Sequence, residues 1–327
     1  VTTTTETAQY TGTVAWNPAV PTKFWTGTTY TATIMLTAKA GYTLTGVVAD
    51  FFTIAGTTSD TNPANSGVVT AIFPATTANL AVVTDYTGTG VGTLKAVQGG
   101  TFTKGTANMT VSSFRMSQHE VTGDQYAAVM GVSDPSHFAS VLNNPVELVT
   151  WYDAIEFCNK LSSNEGLTPV YTISGRSPAT GYPIITAAVS VDWSANGYRL
   201  PTETEWQFAA RGGNSSNNYT YAGSNTINSV AWYSTNSGST THTVGGKTAN
   251  ELELYDMSGN VWEWCWDFYG SYPGTAQTDY RGEASGSSRV CRGGSWGVDE
   301  SFCTTAYRLG NFGNKQYNSI GFRVVRP

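Results

Sequence analysis

The chain has 327 residues, enough for about two domains at ~150 residues each. Hydrophobic residues make up 40% and aromatic residues 13%, while charged residues make up only 12% against ~25% in a typical soluble domain, which excludes disorder driven by charge. A net charge of −6 argues against a sequence-independent grip on nucleic acid, and no apolar run approaches the ~18 residues of a membrane helix.

The start, Val1 to Thr5, has neither a charged n-region nor an apolar h-region and does not read as a signal peptide. With no initial Met, a leader is expected to have been cut or left out. The first hundred residues hold 27 Thr and few charges. Alternating runs at 9–16, 29–36, 51–54 and 67–73 read as short strands, with Thr on the exposed positions of a pleated surface. Residues 1–92 are expected to form an all-β sandwich. It resembles the Thr-rich immunoglobulin-like modules that bacterial surface proteins use as spacers. Thr84 to Gly92 reads as the linker, and 93–327 as a second, α+β domain.

Helices are predicted only in that second region. Thr122-Gly123-Asp124-Gln125 is a capping box for a helix ending near Gly131. Thr150 caps a helix from Trp151 to about Asn164, with Gly166 as a stop. Thr202-Glu203-Thr204-Glu205 opens a third, stopped by Gly212-Gly213. Trp262, Trp264 and Trp266 alternate as in a strand with one aromatic face. Asp267 and Asp279 read as isolated surface carboxylates.

Four segments carry a family resemblance: Gly197 to Trp206, Tyr255 to Trp264, Arg292-Gly293-Gly294-Ser295-Trp296, and Gly321-Phe322-Arg323. Phe114 to Thr122 and Asn144-Pro145-Val146 also fit. From about residue 95 to 327 the chain resembles the sulfatase-modifying family, named for the formylglycine-generating enzyme. The resemblance implies a C-type lectin fold. It also implies a structural calcium site at Asp256, Gly259, Val261 and Glu263, where two carboxylates and backbone carbonyls would supply hard oxygen ligands.

The enzyme of that family needs a cysteine pair on the second and seventh residues after the Gly-Gly-Ser-Trp motif. Those positions are Val298 and Cys303 here. One thiol is absent, and a methyl group cannot replace a thiolate as a copper ligand. Catalysis is therefore not expected, and no cofactor is required. Cys158, Cys265, Cys291 and Cys303 form no CxxC pair, and His119, His137 and His242 do not match the three-His site of related sulfoxide synthases. There is no G-x-S-x-G elbow, and no GK[ST] follows Gly310-Asn311-Phe312-Gly313.

The last forty residues mix small, acidic and aromatic residues without strand or helix period. Gly297, Val298, Asp299, Ser301, Phe302, Tyr307, Leu309, Gly310, Phe312, Gly313, Tyr317 and Asn318 lie between fixed-looking pieces. This resembles the variable proteins of diversity-generating retroelements, in which AAC codons are randomised to NNC in a C-terminal segment, here about 289–323. An NNC codon can encode every residue at those positions, but not Glu300, Lys315 or Gln316. The resemblance implies a ligand-binding surface with aromatic anchors and small neighbours, suited to a protein or glycan ligand. The expected molecule is a monomeric binding protein on a bacterial surface, compatible with a lipid anchor, without nucleic acid and not transmembrane in this chain. The alternative is a metal-dependent oxidase-like enzyme with altered chemistry at Cys303.

Overall fold

The computed structural model describes residues 9–18, 29–54, 57–74, 82–139, 141 and 143–327. The chain divides into two compact units, Val1–Ala78 and Asn79–Pro327. In the first, β1 (Tyr10–Asn17), β2 (Thr31–Ala38), β3 (Ser59–Thr61) and β4 (Val68–Ile72) form one antiparallel sheet in the order β1-β2-β4-β3. Ala32, Ile34, Val69 and Ala71 bury one face of it, as alternation predicts. The run 51–54 is not a strand. The Asn62 and Asp60 side chains accept from the Phe52 and Ile54 N–H groups and replace a ladder there. Among the described residues of this unit there is no second sheet.

The second unit is the α+β fold. Its elements in chain order are β5 (Tyr86–Gly88), β6 (Gly92–Val97), β7 (Gly100–Lys104), β8 (Ala107–Val111), β9 (Phe114–Ser117), α1 (Gly123–Met130), α2 (Trp151–Asn164), β10 (Tyr171–Ser177), β11 (Thr186–Val191) and α3 (Glu203–Ala210). After a single helical turn α4 (Ile227–Val230) come β12 (Trp262–Phe268), β13 (Gln277–Thr278), β14 (Arg289–Arg292), β15 (Arg308–Asn311), β16 (Ile320–Gly321) and β17 (Val325–Arg326). The sheets run β17-β9-β6-β5, β13-β8-β7, β10-β11 and β15-β14-β12-β16. The expected boundary at residue 92 and the expected linker from Thr84 to Gly92 fall inside this unit. Tyr86, Thr87 and Gly88 pair with Leu94, Thr93 and Gly92, closing a hairpin turned by Gly92 at φ 70°.

All three predicted helices form. Thr122, Thr150 and Thr202 each close a reciprocal capping box, and Gly131 ends α1 in the left-handed region. β12 is the strand on which the unit turns. Trp262 and Trp264 enter the core cluster of α2, and the Trp264 indole donates to Val149 O at 3.1 Å. The opposite face is also buried: Glu263, Cys265 and Asp267 lie on the α3 side, where Cys265 packs in one cluster with Trp206. A strand covered on both faces cannot carry one aromatic and one wet side.

Glu263 and Arg323 are both 0% exposed. The guanidinium grips both carboxylate oxygens at 2.7 Å, and Trp206 Nε1–H donates to Oε2 at 2.7 Å. Arg323 also donates to the carbonyls of Ser117 and Tyr255. The pair thereby ties β12, β9, α3 and the C-terminal end together. Arg323→Met leaves the carboxylate buried without its partner and is expected to cost about 3–5 kcal/mol in urea unfolding, whereas the double change with Glu263→Leu recovers most of that loss.

Candidate functional site

The C-terminal segment leaves the core at Gly293-Gly294 and returns at Ile320. Its backbone is held from beneath at every few residues. Trp296 N–H donates to Asn260 O at 2.7 Å, and its indole donates to Asn318 O at 2.9 Å. Ser237 Oγ–H donates to Trp296 O, and Ser234 N–H to Val298 O. Farther along, Trp151 N–H donates to Gly313 O at 3.0 Å and Leu148 N–H to Tyr317 O at 3.1 Å. Gly294 stands at φ 81°, and a Cβ there would lie 2.6 Å from Cys303 Sγ, so the chain can cross that cysteine only at a glycine.

A buried carboxylate sets the middle of the segment. Glu203, at the start of α3, receives Arg308 Nε and Nη2 at 2.8 and 2.6 Å and the Tyr272 hydroxyl at 2.7 Å. Arg292 Nε and Lys104 Nζ stand 3.6 and 3.8 Å away. Burial works to raise the Glu203 carboxyl, but the surrounding cations hold it below its usual value. Arg292 in turn donates to Thr305 O and Ala306 O, and Arg308 to Gly270 O. The turn from 303 to 308 is thus fastened by two arginines on one carboxylate. Nothing in the sequence signalled Glu203's role. Its place inside a capping box concealed it, because Glu205 is the residue that closes the box.

The side chains sort against this frame. Of the positions singled out above, Gly297, Asp299, Ser301, Phe312 and Tyr317 are exposed, Phe312 at 54% and Tyr317 at 45%. Val298, Phe302, Tyr307, Leu309, Gly310, Gly313 and Asn318 are half-buried. None is buried, whereas Ser295, Cys303, Thr305, Ile320, Phe322 and Arg323 between and around them all are. Phe302 and Tyr307 contact each other at 4.8 Å, and Tyr307 leans on Trp262 at 6.0 Å. Asp299 accepts from Ser301 N–H and caps the turn at Glu300–Phe302. β15, with Leu309 and Gly310, is the edge strand of its sheet.

In the expected calcium set of Asp256, Gly259, Val261 and Glu263, Asp256 Oδ1 is buried without a partner, but Glu263 is already taken. Both Glu263 oxygens belong to Arg323, whose positive charge would oppose a dication. Val261 N–H turns instead to Glu120, and Asp256 Oδ2 accepts Gly245 N–H at 2.6 Å. Asp267 is not a surface carboxylate either. It is buried, accepts Glu203 N–H at 2.7 Å, and leaves Oδ1 without a partner. Asp279 is half-buried and holds Ser112 N–H and Oγ–H. The four cysteines are free and buried. Val298 packs beside Cys303 in a cluster with Tyr221 and Tyr233, and burial pushes the Cys303 thiol up to about 12. Among the described residues, no three His, Cys, Asp or Glu side chains are arranged to hold a metal ion.

A central strand buried on both faces, a capped helix behind it and a long C-terminal excursion over a fixed frame define a C-type lectin-like fold of the formylglycine-generating-enzyme type. Residues 86–327 match the Sulfatase-modifying factor enzyme 1-like domain, and the chain belongs to that family. It is similar to the solved variable protein 1 of Treponema denticola, at 36% identity over 74% of this chain and 98% of that one, with a TM-score of 0.66. It is 39% identical to the chaperone protein LppX of Paenibacillus barcinonensis over 71% of this chain and 89% of that protein. The formylglycine-generating enzyme of Streptomyces coelicolor is 33% identical over 46% of this chain and 55% of the enzyme.

Two outcomes follow from the buried groups. With a thiol held this high and no solvent contact, native Cys303 should resist iodoacetamide at about pH 8 and react only on unfolding, as read by mass spectrometry. Stability should also rise on acidification. Burial raises Asp267 and Glu147 to about 7 and Asp256 to about 6. Such raised carboxyls contribute stability that is full below about pH 4 and lost as pH climbs through those values. His119, lowered by burial to about 4, works the opposite way below about pH 6.5, and Lys104, lowered by burial to about 7, does so above that value, while the buried Glu120 and Asp153 are also raised and add to the first trend. The melting temperature is therefore expected to be higher at about pH 5.5 than at about pH 7.5, with the difference reduced in Asp267→Asn.

Proposed function

We propose that this is a ligand-binding protein whose C-terminal face is diversified, displayed on a bacterial surface, with the first unit as an immunoglobulin-like spacer. The carrying observation is the sorting of the segment 297–318. Exposed and half-buried side chains surround the buried Cys303 and Thr305, with Val298, Phe302, Tyr307 and Leu309 resting on the core, while the backbone is fastened largely by residues outside the set. Such a frame keeps its shape when the facing side chains change. The half-exposed Phe302, Tyr307, Phe312 and Tyr317 are amphipathic or apolar anchors of the kind that dominate protein interfaces. The Glu263–Arg323 pair argues against calcium-bridged sugar recognition at the four residues considered above. A relative named as a chaperone protein favours a protein ligand over a glycan.

The enzyme reading has little support from the side chains. Val298 stands where the resemblance puts the second thiol, and Cys303 is buried in a cluster with Tyr221 and Tyr233, its thiol pushed up to about 12 by burial.

Simultaneous NNC randomisation of the positions singled out above tests the proposal. Most library members should keep melting temperatures within a few degrees of the parent, and selection on a panel of proteins should recover binders. The same randomisation at Ser295, Cys303, Ile320 and Phe322 should abolish folding. If the facing positions prove as intolerant as the buried ones, the reading fails. Sequencing the 3′ end of the gene in independent isolates tests the natural process, since invariant codons from 297 to 318 would remove diversification.

A further inference from the structure

Beside the segment lies a cavity of about 230 Å³ that its residues do not fill. Tyr126 of α1, Val132, Leu148, Asp153 of α2 and Tyr182 line it, and Gln316 closes one side from the C-terminal segment, its amide donating to Leu148 O. Leu148 N–H is the group that holds Tyr317 O, so the cavity adjoins the exposed Tyr317.

Tyr126 is 1% exposed. Its ring is locked in the core, stacked on Phe157 at 5.8 Å and edge-on to Phe322 at 6.4 Å. Its hydroxyl nevertheless has no hydrogen-bond partner among the described residues. The charged groups around it are Asp153, Glu156 and Asp134, which together with burial hold the phenol above its usual range. Arg176 pairs with Glu156 at 3.2 Å, and Lys160 Nζ donates to Met130 O. No cation pairs with Asp153 among the described residues. Each of its oxygens accepts one backbone N–H, from Ile184 and from Thr150, and keeps a lone pair.

We propose that this cavity takes a primary alkylammonium group, in the bound state the side chain of a lysine presented by a protein ligand. The apolar walls Val132 and Leu148 suit a four-carbon stem. The tip meets the acceptors of Asp153, Tyr126 and Gln316. The cavity lies outside the facing positions, so it would add a constant anchor to a changing surface. Only the ownership of the ammonium by a protein rests on the binding reading above.

The full chain is titrated with n-butylammonium chloride, with n-butanol as the neutral match, while the methyl signals of Val132 and Leu148 are followed by NMR. Saturable shifts in the millimolar range are expected, with butanol about tenfold weaker or worse. Tyr126→Phe removes a hydroxyl that has no protein partner and should weaken butylammonium several-fold at unchanged melting temperature. Val132→Trp, at an exposed rim position, should block the cavity. Equal binding of butanol, or no shift at these methyls, overturns the inference. The titration is independent of the library experiment. An amine site with no selectable binders sinks only the function proposed above, and binders without an amine site sink only this one.

Discussion

The second unit depends on one buried ion pair. Glu263 on β12 and Arg323 near the C-terminus have no solvent contact, and their bidentate bond joins strands that are far apart in sequence. A charge pair of this kind is a weak source of net stability, because two desolvations offset much of the attraction. What it provides is register. The carboxylate has one partner that satisfies both oxygens, so β12 can sit at one position relative to the returning C-terminal chain. The excursion from Gly294 to Ile320 therefore starts and ends at defined points.

Between those points the same device is used again. Glu203 collects Arg308 directly, and Arg292 and Lys104 stand close by. The arginines then spend their remaining donors on backbone carbonyls of the excursion or of its neighbour at Gly270. Fastening a loop by its main chain separates its shape from its side-chain identity. A fold held in this way fixes the course of a loop without fixing its side chains. The pocket next to the loop has the opposite character, with walls formed chiefly by residues of the frame.

Much of the local structure was legible because its causes are local. Thr122, Thr150 and Thr202 each bond a backbone N–H three residues away, so the helix starts need no tertiary information. Gly294 stood in the sequence only as part of a family motif, and the close crossing that requires its missing Cβ came from the fold. The partners of Glu203 come from residues 104, 292 and 308, a set that no spacing rule brings together. Asp267 looked like surface for the same reason: its burial comes from α3 closing over the second face of β12. The guanidinium that takes both Glu263 oxygens in the expected calcium set was not legible, because it lies sixty positions away in sequence. The unit boundary was misplaced because a glycine- and threonine-rich run reads alike as a linker or as the hairpin β5–β6.

The sequence by itself determined the family, the α+β class of the second unit, the three helices with their caps, and the framed C-terminal segment. These rest on short-range hydrogen bonds, on alternation and on motifs whose order survives along the chain. Only the tertiary structure decided which carboxylates are buried, which cations face them, and that the segment's backbone is fastened while its candidate side chains are exposed or half-buried. It alone revealed the cavity under Gln316. Burial and charge pairing depend on contacts between residues tens to hundreds of positions apart, and their free energies exist only once the chain has closed around them.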